Sequence, residues 1–442
     1  MRAPAPPRPS LPAHLLLGVR SSDMAWTLDR LHQRYGPVVD FGFKVPLRAV
    51  CLFGPEANQH VLADNASNFL WKEAFQLLEV VDGPSALVLS DGDEHRRRRR
   101  LVQPAFAVKR VDAQLDLVVN ELDRALDAWR PGRHLDAHVE LRAAVRSIVV
   151  RGLFGAELGQ VADEIGERLE PALRYVSRNP MARFDVDLRW NGFGRAKAAA
   201  VAVDELILAE VARRRAAGVD AVANPDTLSA LLAAAGDVEG TEEPLTDLEL
   251  CDQIRSLVAA GYDTTSAAAA WVVHALGANP DVLERVRTQV REAIGDRAPT
   301  VDDLRAMPLV DGVVREVLRL WPPGVVSGRT AIDDFELHGY RIPAGSTVLF
   351  SPYITHRLPE VWGDPERFRP ERWADGEPVP YSFVPFGGGY RKCIGFALAT
   401  LELQVLVVRL AQRVHWSLDR PAAKGAGVAT FAPKGGVPIT VL

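Results

Sequence analysis

One cysteine stands inside a glycine-rich stretch, Phe386-Gly387-Gly388-Gly389-Tyr390-Arg391-Lys392-Cys393-Ile394-Gly395, and its sulfur is the first place to look for chemistry. Glycine lets the backbone turn with φ > 0 and pass close to a flat ligand. The apolar run from Phe396 to Leu410 predicts a helix, so Cys393 precedes a helix N-terminus. Free N–H groups and the positive dipole end there favour an anionic sulfur, and Arg391 adds a formal charge. A thiolate held this way is a soft, electron-rich metal ligand. A buried structural thiol or a cysteine nucleophile are the alternatives, but neither needs this spacing of Phe, Gly, Arg, Cys and Gly. A phosphate loop is excluded, because no Gly-Lys-Ser/Thr follows.

A second cluster of reactive side chains sits where a helix should be dull. Thr246-Asp247-Leu248-Glu249 is a capping-box pattern, and apolar residues continue to about Leu276, before Gly277 and Asn279-Pro280. The helix so predicted is roughly 45 Å long at 1.5 Å per residue. Its middle reads Ala259-Ala260-Gly261-Tyr262-Asp263-Thr264-Thr265. Glycine costs about 1 kcal/mol against alanine there, and hydroxyls divert backbone hydrogen bonds. Local rules broken in one place point to function. The alternative is a tight helix crossing at Gly261 with solvated polar neighbours.

Two weaker constellations remain. Glu316 and Arg319 lie three apart on a helix predicted from Leu309 to Leu320, so they can pair. His95 and Arg99, in the basic run His95 to Arg100, lie one helical turn apart and in line with Val102 and Phe106. That leaves Arg96, Arg97 and Arg100 more exposed, or makes the whole run a solvated cationic face.

Other segments must position these groups. Val38 to Phe43 and Ala49 to Phe53 read as strands around a turn at Pro46, and Val111 to Trp129, Leu141 to Leu153 and Ala196 to Ala217 as helices. Asn224-Pro225-Asp226 and Gly236 to Pro244 read as loops. Phe335 to Ile342 and Thr347 to Phe350 predict strands joined by a Pro-Ala-Gly turn. Pro359 to Tyr381 has no clean period, and such irregular stretches tend to be functional. The fold class expected is mainly α with a small β region (α+β), in one domain over 13–442 behind a proline-rich tail, 1–12. At 442 residues, with 48% hydrophobic and 25% charged, the chain can bury a core around a cofactor. A net charge of −5 argues against nucleic-acid binding. Cys51, Cys251 and Cys393 give no disulfide framework and no paired zinc spacing, which suits a reducing cytoplasm. The cluster Leu15-Leu16-Leu17 falls far short of the ~20 apolar residues of a membrane anchor.

The spacing Phe386-x-x-Gly389-x-Arg391-x-Cys393-x-Gly395 resembles the haem-binding signature of the cytochrome P-450 family, and further marks run from about position 90 onward. The resemblance implies haem b buried between the long central helix and the cysteine-loop helix. Cys393 would be the axial thiolate of its iron, with Phe386 and Gly395 framing the loop and Arg391 on a haem propionate. Thiolate ligation, for which this family is the standard example, pushes electron density onto the iron. Ala260-Gly261-x-Asp263-Thr264-Thr265 resembles the family's oxygen-activation motif. Thr264 would position the water that relays protons to bound O2, Asp263 would feed that relay from solvent, and Gly261 beside Ala260 would open space for O2. His95, Arg99 and Arg329 match positions that hold the propionates. Arg372 would complete a structural triad with Glu316 and Arg319.

The implied activity is that of a soluble bacterial-type monooxygenase, hydroxylating or epoxidising a lipophilic substrate. Fatty acids, terpenoids, steroids and polyketides all stay open. The expected lining includes Phe75 and Leu78 within Phe69 to Val88, the stretch Asn179 to Trp190, Leu257, Val325, Val326 and Phe431. Electrons are expected from NAD(P)H through a ferredoxin or flavodoxin-type donor and its reductase, because neither a dinucleotide fingerprint nor a four-cysteine set is present. Exposed arginines of the basic run, with Lys392, would dock that donor. A peroxide-driven peroxygenase, a redox-neutral haem-thiolate isomerase or dehydratase, and a non-turnover haem sensor are the rivals. None of them needs an acid–alcohol pair.

Overall fold

The capping pattern at Thr246 forms as its spacing requires. Thr246 Oγ1 accepts from Glu249 N at 3.2 Å, and the Glu249 carboxylate accepts from Thr246 N at 3.0 Å. With two otherwise orphaned amides met, Asp247–Ala278 runs as one helix. Its C-terminal half, from Ala267 to Leu276, is buried throughout, and Trp271 lies at the heart of the largest apolar cluster. The helices Ala137–Phe154, Pro308–Leu320 and Phe396–Arg413 pack around it.

The computed structural model describes residues 3–10, 23–42, 49–155, 159–176, 191–218, 226–236, 243–427 and 429–442. The turn at Pro46, the expected lining stretch Asn179 to Trp190 and most of the two expected loops lie outside the described residues.

The β region gathers remote parts of the chain. A five-stranded sheet has the order Val38–Asp40, Ala49–Leu52, Thr347–Phe350, Ser327–Ala331, Phe69–Leu70. Ala49–Leu52 runs parallel to Thr347–Phe350, and the other neighbours are antiparallel. This pairing puts Arg329, in an inner strand, beside the edge strand that leads into Trp71. A second sheet joins His134–Asp136, Pro438–Val441 and Trp416–Leu418. A short hairpin pairs Gly425–Ala426 with Ala432–Pro433.

Several expectations are adjusted. Phe335 to Ile342 is not one strand but a hairpin, Phe335–Leu337 with Tyr340–Ile342, turning on His338 and Gly339, both at positive φ. Val111 to Trp129 divides into Val108–Asp112 and Leu115–Asp127. The N-terminal segment expected as a tail is docked on the sheets. Pro4 O accepts from Arg341 N and Pro7 O from Asp40 N, each at 2.9 Å, and Arg8 pairs with Asp40 at 2.6 Å. Proline lacks an N–H but can still accept, which suits an edge. Among the described residues no helix is long and apolar enough to cross a membrane.

Candidate haem site

The cysteine loop is held by its own backbone. Cys393 N donates to Phe386 O at 2.9 Å and Lys392 N to Gly389 O at 3.2 Å. Gly389 has φ +61°, and a Cβ there would lie 2.0 Å from Leu62 O, so only glycine allows this approach. Cys393 presents open surface, as do Phe396 on the following helix and Ala260 in the middle of the central one. The sulfur still lies deep enough for desolvation to raise its thiol above the ordinary range. The Gly395 backbone, Arg99 and Lys392 pull the other way and lose. In the protein alone, burial outweighs the helix terminus.

Above one end of the loop lies a set of cationic and donor groups short of anions. Arg329 is buried, with its guanidinium 3.4 Å from the Trp71 ring centre, and it donates only to Ser327 Oγ at 2.9 Å and Gly328 O at 2.5 Å. Desolvation, then Arg391, pushes its pKa well below the arginine range. Arg391 pairs with Asp91 at 2.6 Å and keeps a buried, unpartnered Nε. His95 is buried, its Nδ1 is orphaned, and its ring stands edge-on to Tyr390 at 5.8 Å. Desolvation first, then Arg391, Arg99 and Arg96, lowers the His95 pKa to about 3. A dianionic porphyrin edge is the partner this set lacks, so these residues fit haem.

The basic run needs correction. Arg99 is half-buried beside the cysteine loop, donating to Lys392 O at 2.9 Å and Gln103 Oε1 at 3.3 Å. Arg97, expected on the exposed face, is mostly covered and bonded to Glu249, as is Arg98 at 3.0 Å. They tie the helix Gly92–Val102 to the start of the central helix, because Glu249 at its first turn offers a carboxylate.

In the middle of the central helix, Thr264 Oγ1 donates to Ala260 O at 2.6 Å. Asp263 is not open to solvent as expected. Its carboxylate accepts from Arg142 at 3.1 Å and from Thr430 Oγ1 at 2.6 Å. Arg142 continues to Glu170 at 3.2 Å, which also accepts from Tyr262 at 3.1 Å. Gly261 also sits at a close helix crossing: a Cβ there would stand 3.2 Å from Val149 of Ala137–Phe154.

Of the expected lining, Phe75 is half-buried and stacked on Trp71 at 5.0 Å, and Leu78 and Leu257 flank the same apolar cluster. Val326 is half-buried. Val325 and Phe431 are core residues. Phe431 packs on Tyr353 at 5.4 Å and Trp271 at 6.0 Å, so its hairpin presents Thr430 towards Asp263. Phe386 lies edge-on to Phe396 at 6.3 Å.

Glu316, Arg319 and Arg372 meet. Glu316 accepts from Arg319 Nε and Nη2 and from Arg372 Nε, each at 2.9 Å, and from Arg369 N and Trp373 Nε1. Arg319 reaches His356 O at 2.8 Å and Pro365 O at 2.7 Å, which fixes the irregular stretch before the cysteine loop. His356 accepts from Val384 N at 2.9 Å through Nε2, so its Nδ1–H donates to Arg319 O. Sequence reasoning missed Asp91, Arg142, Glu170 and Thr430 as partners, and placed Trp71 only within the expected lining segment Phe69 to Val88. Each acts through a partner remote in sequence, so no local spacing marks it.

A family model described as cytochrome P450 matches residues 4–426. Putative cytochrome P450 139 of Mycobacterium bovis, with its Mycobacterium tuberculosis counterpart, is 41% identical over 86% of this chain and 88% of the relative. Cyclooctat-9-en-7-ol 5-monooxygenase of Streptomyces melanosporofaciens is 33% identical over 84% of this chain and 81% of its own. A cyanobacterial cytochrome P450 solved with retinoic acid bound superposes with a TM-score of 0.85 at 25% identity over the whole of both chains. A zebrafish cytochrome P450 solved with progesterone superposes at 0.81 over 98% of this chain and 100% of its own, at 24% identity, which speaks to the fold alone.

Proposed function

This chain belongs to the cytochrome P450 family of haem-thiolate monooxygenases, and we propose that it hydroxylates or epoxidises a lipophilic substrate of the terpenoid class. The observation that carries the reading is Cys393, an exposed residue in a glycine-shaped loop, together with the exposed Ala260 and half-buried Thr264 on the central helix. The terpenoid class is supported by the relative named for cyclooctat-9-en-7-ol and by the one solved with retinoic acid. The half-buried Phe75, Leu78 and Leu257 suit an apolar ligand.

Haem b, when bound, would supply the iron at which O2 is activated, held by the Cys393 sulfur. His95, Arg99, Arg329 and Arg391 would hold its propionates. Thr264 Oγ1 turns from Ala260 O to hold a proton-carrying water in the substrate pocket. Asp263 passes protons to that water after letting go of Thr430 or Arg142, so the ionic chain to Glu170 sets when it is free to do so. Electrons come from NAD(P)H through a separate small donor protein with its reductase. A cytoplasmic setting is supported by three unpaired cysteines, two of them buried.

Thr264→Ala tests this. Alanine is the better helix former, so haem content and substrate binding survive. NAD(P)H consumption continues while product per electron pair falls roughly tenfold and hydrogen peroxide rises. Full coupling in the variant, or turnover supported by peroxide but not by the donor system, would overturn the proposal in favour of a peroxygenase.

A further inference from the structure

A cavity of about 240 Å³ lies away from the cysteine loop. It lies beyond the central helix, lined by His274, Arg420, Lys424, Lys434, Gly436 and Val437 among others. His274 is ten residues past Thr264, and so roughly 15 Å further along the helix axis.

Three cations meet there without a carboxylate of their own. Lys424 and Lys434 are exposed on the two arms of the hairpin Gly425–Ala426/Ala432–Pro433, next to each other because Lys434 N donates to Lys424 O at 2.7 Å. Like charges placed opposite on paired strands repel, by up to about 1 kcal/mol. Among the described residues neither lysine has an ion-pair partner. Among the described residues Arg420 donates only to the Gly435 carbonyl. The nearest acids are engaged. Asp136 accepts from His138 N at 3.0 Å and Val437 N at 2.8 Å, and Asp419 accepts from Thr440 Oγ1 at 2.6 Å. Three cations against these two acids leave the cleft positive on a chain of net charge −5.

The wall of the cleft is polar and unmet. His274 is only 7% exposed, its ring stands edge-on to Trp271 and Trp321, and among the described residues its nitrogens make no hydrogen bond. Desolvation lowers its pKa, so it is neutral and offers one N–H donor into the cavity. The volume is below the roughly 300–1,000 Å³ of pockets for drug-sized apolar ligands, and the lining is cationic instead of aromatic. A second copy of the lipophilic substrate does not suit it.

We propose that this cleft is a second ligand site, taking a compact polyanion with two phosphate or carboxylate groups. One group bridges Lys424 and Lys434, relieving their repulsion, and the other meets Arg420 and the His274 N–H. The charge-assisted bonds are of the kind phosphates and carboxylates favour.

Inorganic pyrophosphate is the probe, titrated calorimetrically into the haem-loaded protein at fixed ionic strength. The site predicts saturable one-to-one binding. Lys424→Glu combined with Lys434→Glu weakens it roughly tenfold or more, and Lys109→Glu leaves it unchanged. No saturable binding, or an equal loss in Lys109→Glu, overturns the proposal. If the double charge reversal fails to load haem, the Lys424→Gln, Lys434→Gln pair is judged by the same criterion.

Discussion

Arg319 and Arg329 are both almost fully buried, at 0% and 2% exposure, yet their surroundings could hardly differ. Arg319 has Glu316 on two of its nitrogens and backbone carbonyls on the remaining donors. Arg329 has a serine hydroxyl, one carbonyl and the face of Trp71, with Arg391 nearby as a second cation. A buried charge is tolerated when paired and costly when not. The contrast teaches which arginine serves the fold and which is kept for a ligand. Arg319 closes a circuit that the protein completes alone, and Arg329 needs an anion from outside the chain.

Breaking the completed circuit should have the largest effect. Glu316→Ala strands Arg319 and Arg372 together, and we expect a loss of about 3–5 kcal/mol in a denaturant titration, with little haem protein recovered. An unchanged midpoint would mean that the triad is not what holds the irregular stretch in place.

A third guanidinium shows the opposite imbalance and sharpens the comparison. Arg255 pairs with Asp252 at 2.7 Å and Asp204 at 3.1 Å, and the buried Asp82 also feels its charge. Desolvation pushes Asp82 up to about 7 and Asp204 up to about 6. A carboxyl whose folded pKa exceeds its unfolded value binds more protons when folded, so its contribution to stability falls as pH rises from about 4 to 7. The buried His95 and His356, held at about 3, contribute with the opposite sign, so the test is a difference between proteins. In denaturant titrations the stability of the parent relative to Asp82→Asn should be greater at pH 5 than at pH 8 by on the order of 2 kcal/mol, and a difference independent of pH would remove Asp82 from the account.

The smallest stability effect has the reverse sign. Arg329→Leu exchanges an unpaired buried charge for an apolar side chain, and should raise the stability of the haem-free protein by about 1 kcal/mol. The same change should speed haem loss to an apomyoglobin acceptor severalfold. Destabilisation of the haem-free form, or haem loss at the parent rate, would place Arg329 with Arg319 as a purely structural cation.

The same divide explains what was legible in the sequence. The capping box at Thr246, the glycine spacing before Cys393 and the Glu316/Arg319 pair are local patterns, and each leaves a local geometric trace. Gly261 is ambiguous in sequence because a glycine that admits a ligand and one that admits a neighbouring helix look alike there; the 3.2 Å approach of Val149 to its missing Cβ shows the helix crossing. Arg97 misled because its partner, Glu249, lies 152 residues away. The Asp263–Arg142 and Arg391–Asp91 pairs are equally remote, 121 and 300 residues apart, and no helical or strand period encodes them. The inner strand Ser327–Ala331 was not anticipated, because it is short and has an arginine where an apolar residue would mark a buried strand.

The central claim is that Cys393, raised by burial in the protein alone, becomes the thiolate ligand of haem iron. The most direct measurement is the absorption spectrum of the reduced carbon monoxide complex, for the parent and for Cys393→Ser with matched haem content. A hydroxyl is protonated at neutral pH and a poor ligand, so the account predicts the red-shifted Soret band of thiolate haem in the parent and its absence in the variant. An unshifted band in the fully loaded parent, or a shifted band that survives Cys393→Ser, would contradict it.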